Sequence, residues 1–129
     1  MKNDTFNDRL IFFLIHFAFF LRAFKNKDNS KVLQEIYDYC FKQLELSIRE
    51  IGYGDQSINK KMKDYINLFH SIISEINDWE SFDISKKIKT FRIFLTNSIK
   101  INDLIEYFDF YYGNLKKKTL NSYLKSVRS

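Results

Sequence analysis

The stretch LIFFLIHFAFFL, Leu10 to Leu21, runs for 12 residues without a charge and is bounded by Arg9 and Arg22. As a helix it would be apolar on nearly every side, and such a helix is stable only where something covers it all round. A bilayer span needs about 20 apolar residues, so the run is too short to cross a membrane. It does not read as a secretory leader either. The preceding MKNDTFNDR is charge-balanced, and no A-x-A cleavage pattern follows. The run is expected to be the central helix of a bundle; contact with a membrane surface is the other reading.

The chain has 129 residues, no proline and only 3 glycines. That length suits one domain, 1–129, with a core of its own, and little interrupts helix formation. A first helix is expected from about Asp4 to Asn26, capped by Asp4 or Thr5. The polar break NKDNS follows, and Asn29 or Ser30 caps a second helix ending near Ile51. Leu33, Ile36, Tyr37, Cys40, Phe41, Leu44, Ile48 and Ile51 recur there at helical spacing. A third helix, about Ile58 to Trp79, repeats the pattern with Ile58, Met62, Tyr65, Ile66, Phe69, Ile72, Ile73 and Ile76. A fourth is expected from Ile84 to Ser98, with Ile84, Ile88, Phe91, Phe94 and Leu95 inward. A fifth starts at Asn102 or Asp103 and ends near Gly113. Asn114 then caps a last helix, with Leu120, Tyr123, Leu124 and Val127 inward. No strand alternation, repeat or linker is evident. The fold class is all-α: a single-domain bundle of five or six helices around a hairpin of the second and third.

SIREIGYGDQSINKKMK, residues 47–63, joins those two helices. Gly52 directly follows the last periodic residue, where helices end in a left-handed conformation that glycine adopts without a side-chain clash. Gly54-Asp55 supplies the turn, and Ser57 or Asp55 can cap the next helix. Chain reversal does not explain Lys60, Lys61 and Lys63. They fall in the first turns of a helix, where the macrodipole disfavours cations by a few tenths of a kcal/mol each, at roughly 0.3 or more. Either they pair with Glu50 and Asp55, or the surface is kept basic for a partner. Base composition competes with both readings: AAA, AAT, ATT and TTT encode Lys, Asn, Ile and Phe, all of them frequent here.

The net charge of +5 is unevenly placed: residues 1–80 carry −1 and residues 81–129 carry +6. This asymmetry hints at an anionic partner, RNA or an acidic membrane surface. The single cysteine, Cys40, allows no internal disulfide and falls on the apolar side of its helix, as a buried structural thiol would. His16 and His70 lie on separate helices without co-ligands at metal spacing. An axial haem contact through His16 alone is a weak signal. GYGD follows no strand and is no phosphate loop. No catalytic residue, metal site or cofactor is expected.

The run Arg49 to Lys63 resembles the signature of the ubiquinol–cytochrome c chaperone family. That signature is Arg-Glu, a hydrophobic residue, Gly, any residue, Gly-Asp, a few residues, then basic-basic-Met-Lys. Every one of these positions is matched. Upstream, LIHFAFFLRAF (Leu14 to Phe24) is similar to the family's first helix, with His16 and Arg22 in place. IYDYCF (Ile36 to Phe41) is similar to its Asp-x-x-Phe segment. The likeness covers about residues 10–75. It departs at Asn59, where the family usually has proline, at His70-Ser71, where it tends to carry Gly-Arg, and in a shorter lead into the first helix.

The resemblance implies a non-enzymatic assembly factor for respiratory complex III. It would act on newly made cytochrome b near the ribosome and the membrane, in some members with a small partner protein, and on no small-molecule substrate. It implies a place in the bacterial cytoplasm or on the inner side of the inner membrane, or on the matrix side in mitochondria. Arg49, Glu50, Gly52, Gly54, Asp55, Lys60, Lys61 and Lys63 are the expected partner-binding residues. The alternative is a small RNA-binding helical module using Lys86, Lys87, Lys89, Arg92, Lys116, Lys117 and Lys118; a homo-oligomeric interaction domain is a weaker option.

Overall fold

The computed structural model describes residues 5–95 and 100–128. Among them are six α-helices and no strand: α1 (Thr5–Phe24), α2 (Ser30–Ile51), α3 (Asp55–Glu75), α4 (Ile84–Phe94), α5 (Ile101–Lys116) and α6 (Leu120–Arg128). A short tight turn, Trp79–Ser81, stands between α3 and α4. The Asp4 cap and the Ser98 end of the fourth helix lie outside the described residues.

The apolar run takes the central place expected of it. α1 packs against α3 and α5; α2 packs on α3, and α4 on α5. The cover is largely aromatic. Phe17 stacks on Phe69 of α3 with ring centroids 5.1 Å apart. Phe19 stacks on Phe108 of α5 at 5.5 Å. Phe20 meets Tyr123 of α6 at 5.6 Å. Leu14, Ile15, Ala18 and Phe19 are almost completely buried. Full burial of one large apolar side chain contributes about 1.5–3 kcal/mol, so this helix dominates the core.

Helix ends depart from the expectation in instructive ways. Asn29 holds the position before α2, but its side chain does not cap that helix. Its Nδ2 donates to the Phe24 carbonyl at 2.7 Å, closing α1 instead, while its backbone N–H donates to Asn26 Oδ1 at 2.8 Å. Neither Ser57 nor Asp55 caps α3. The helix starts earlier than expected, at Asp55, after an uncapped Gly54. It ends at Glu75, and Trp79 belongs to the separate turn. The even spacing of Ile76 and Trp79 disguises that break.

α5 runs through Gly113 and Asn114 rather than stopping at them. Tyr112 and Leu115 are buried and continue the stripe of Ile101, Ile105 and Phe108; burying them outweighs the ~1 kcal/mol helix penalty of one glycine. The last helix is capped by Thr119, whose Oγ1 accepts from the Ser122 N–H at 3.1 Å, not by Asn114. Ile51, Ile84 and Val127, expected inward, are exposed because each stands at or near a helix end. Cys40 is half-buried rather than buried, and burial pushes its thiol pKa up.

Gly52 takes φ +108°, and among the described residues it is the only one with positive φ. Gly54 sits at φ −74°, ψ 164°, which any residue adopts. A Cβ at any of the glycines would meet open space. Gly52→Ala should therefore cost about 1–2 kcal/mol of backbone strain, and Gly54→Ala should be near neutral. Gly113→Ala should stabilise by about 0.4–1 kcal/mol. Urea unfolding of the three variants checks the order.

Candidate partner-binding site

The α2–α3 reversal is built from backbone and then locked by charge. Gly52 donates its N–H to the Arg49 carbonyl at 3.0 Å, ending α2 in the left-handed conformation. Arg49, in the last turn, then reaches across the reversal. Its Nη1 donates to Asp55 Oδ1 at 2.8 Å and its Nη2 to Glu45 Oε2 at 3.1 Å. These bonds, to Asp55 first and Glu45 second, raise the guanidinium pKa above its usual value. Arg49 and Asp55 thus face each other, while Glu50 stands exposed beside them.

The expected pairing of the α3 lysines with Glu50 and Asp55 is not what the hairpin uses, because Arg49 occupies Asp55. Lys60 pairs with Asp64 one turn along its own helix, at 3.4 Å. Lys61 lies over the Tyr53 ring, 4.6 Å from its centroid. Lys63 is exposed. The site is therefore a largely exposed, partly self-paired charged knuckle, with Arg49, Glu50 and Asp55 at the reversal and Lys60, Lys61 and Lys63 in the following turns of α3.

The cations named for RNA binding are less available than their sequence suggests. Lys87 is only 17% exposed; its Nζ donates to Asp109 at 3.0 Å and covers the Trp79 ring. Lys116 lies over Tyr112, 4.5 Å from the centroid, and 3.8 Å from Glu80. Lys86, Lys89, Arg92, Lys117 and Lys118 remain exposed.

A second charged cluster went unread in the sequence. Glu80, in the tight turn, accepts from Arg22 of α1 at 2.7 Å and from the Tyr112 hydroxyl of α5 at 2.5 Å. Its neighbour Trp79 is buried between Phe19 and Phe91, and the indole Nε1–H donates to Asp109 Oδ1 at 2.7 Å. The signal was a lone tryptophan beside a carboxylate in a polar break; its partners lie far along the chain, where no spacing rule reaches. Burial alone would raise the Glu80 pKa. The hydrogen bonds from Tyr112 and Arg22 outweigh it and bring the carboxyl down to about 2. Burial and donation to Glu80 push the Tyr112 phenol well above its usual range.

His16 is half-buried. Its Nδ1–H donates to the Phe12 carbonyl at 2.8 Å, which leaves Nε2 to accept from the Tyr107 hydroxyl at 2.7 Å. Phe12, Tyr107, Phe108 and Tyr111 surround the ring. His70 meets the Tyr37 hydroxyl at 3.4 Å.

Glu80→Gln should destabilise the fold by about 1 kcal/mol near neutral pH, a figure discounted for a carboxylate that is 43% exposed. The folded-state pKa lies below the unfolded value, so this contribution is complete above the unfolded pKa. It is lost as pH falls through the folded one, about 2. The gap between native and variant unfolding midpoints should therefore narrow between about pH 5 and pH 2, which urea titrations across that window would check.

The profile of the ubiquinol-cytochrome C chaperone family matches residues 2–83, well over half of the chain. No curated protein and no solved structure matches. The matched part takes in α1, α2, α3 and the Trp79–Glu80 turn, and with them the Arg49 hairpin and the Arg22–Glu80 pair. Among the described residues, no helix is long and apolar enough to cross a membrane. The chain belongs to the ubiquinol-cytochrome C chaperone family, which points to a chaperone role in the assembly of respiratory complex III.

Proposed function

We propose that the chain is a single-domain, non-enzymatic assembly factor that holds newly made cytochrome b for complex III, close to the ribosome and the membrane. The observation that carries this reading is the family match over α1 and the two helices, α2 and α3, that build the hairpin. Its site of action would be the bacterial cytoplasm or the inner side of the inner membrane, or the matrix side in a mitochondrion. A small partner protein could share the client with it.

The hairpin knuckle is the contact surface in this reading. Gly52 sets the left-handed end of α2 and Gly54 leads into α3, Arg49 and Asp55 fix the reversal, and Glu50, Lys60, Lys61 and Lys63 are read by the client or the ribosome. Support comes from energetics. Exposed ion pairs contribute about 0–1 kcal/mol to folding, and because α3 starts at Asp55 the three lysines lie beyond its first turn, where the helix dipole no longer bears on them. Stability does not call for this set. A contact surface does, because rim charges set specificity and association rate.

Replacing Lys60, Lys61 and Lys63 together with Gln should leave the melting temperature nearly unchanged, and should weaken co-purification with cytochrome b or ribosomes. A lowered melting temperature with intact binding would assign the lysines to folding instead. Deletion of the gene should lower spectrally detected, haem-loaded cytochrome b and assembled complex III while other membrane complexes persist; unchanged cytochrome b would overturn the function.

A further inference from the structure

Between α1, α2 and α3 lies an open groove of about 260 Å³. Ala18 and Leu21 of α1 line it, with Leu33 and Tyr37 of α2 and Ile76 beyond the end of α3. Ala18 is the only small residue in the apolar run of Leu10 to Leu21, so room exists where any other member of that run would fill it. The whole groove falls inside the family-matched residues.

Its polar edge is cationic. Arg22 and Lys25 line the groove, and no carboxylate does. Glu80 holds Arg22 from outside the lining. Lys25 is exposed and makes no ion pair among the described residues. Gln34, part of the lining on the α2 side, is exposed and donates at 2.9 Å to Asp38, which lies outside the lining.

We infer that this groove receives an apolar anchor side chain of a partner polypeptide, with a carboxylate close to the anchor that meets Lys25. The inference rests on the chaperone reading above and deepens it. The volume falls below the roughly 300–1,000 Å³ of pockets that enclose a drug-sized ligand. It suits the pocket in which one bulky residue of a protein partner concentrates binding energy. The unpaired cation at the edge sets the sign of the flanking charge and steers the approach.

The test uses the full chain and an array of overlapping synthetic peptides covering the complex III subunits of the same cell. Lys25→Glu reverses the edge charge, and Gln34→Trp roofs the groove; both positions are exposed, so the fold should survive. Ala18→Leu fills the groove from its floor and is read only if its melting temperature is retained. Peptides that set a bulky apolar residue near Asp or Glu should bind the native chain. They should bind Lys25→Glu and Gln34→Trp about tenfold more weakly or worse, at unchanged melting temperature, and Lys25→Arg should keep most of the affinity. Binding that is equal in Gln34→Trp and the native chain would overturn the groove. So would an array in which no peptide binds. Binding that survives Lys25→Glu, or that ignores peptide acids, would overturn the carboxylate. Normal complex III in a deletion strain would remove the chaperone reading itself, separately from any peptide result.

Discussion

A helix that is apolar almost all round has to be enclosed, and the rest of this structure follows from enclosing α1. Its Phe17 side is closed by Phe69 of α3 and its Phe19 side by Phe108 of α5; Tyr123 of α6 closes over Phe20. The other helices need only one apolar stripe each: α3 and α5 turn theirs to α1, α2 packs on α3 and α4 on α5. That division explains why α2, α3 and α4 read as clean amphipathic patterns while α1 reads like a fragment of membrane.

The family-matched residues meet the remainder along the α1–α5 interface and at one small element, the Trp79–Ser81 turn. Trp79 is buried against α1 and α4, and Glu80 ties Arg22 of α1 to Tyr112 of α5. Asp109 of α5 serves both the Trp79 indole and the Lys87 ammonium of α4. Two adjacent residues thus fix α1, α4 and α5 relative to one another, one through packing and one through charge. The hairpin at the far end of α2 has none of this burial, and its Arg49 clamp is solvent-exposed. The fold is held at one end and leaves its charged knuckle to solvent at the other, which suits a surface that must meet a partner without unfolding anything.

Much of this was legible. Periodicity gave the stripes of α2 and α3, and Gly52 marked the end of α2 because a left-handed residue leaves so few alternatives to glycine. The same logic misled at Gly113 and Asn114: turn residues stop a helix only when nothing downstream rewards its continuation, and Tyr112 and Leu115 do. Asn29 could cap in either direction, and which helix end it served depended on where the Phe24 carbonyl lay in space. Ile51, Ile84 and Val127 kept the helical period but ran past the point where a neighbour could cover them. Of the candidate site, the reversal and its basic flank were readable. The pairing of Asp55 with Arg49 rather than with a lysine was not, since it turns on the path of the chain between them. The Glu80 cluster and the groove over Ala18 depend on residues brought together from different helices, which a linear pattern does not encode.

The closure of α1 by α5 also has a time attached to it. His16 and Tyr107, which bond across that interface, are 91 residues apart in sequence. At synthesis rates of about 5–20 residues per second, the ribosome takes roughly 5–20 s to supply the second after the first. Through that interval the aromatic side of α1 that later faces Phe108 and Tyr111 has no native cover. A protein whose family is named for guarding another chain during assembly therefore begins its own life with an unguarded apolar helix, and its production is most exposed to aggregation or to proteolysis before α5 has left the exit tunnel.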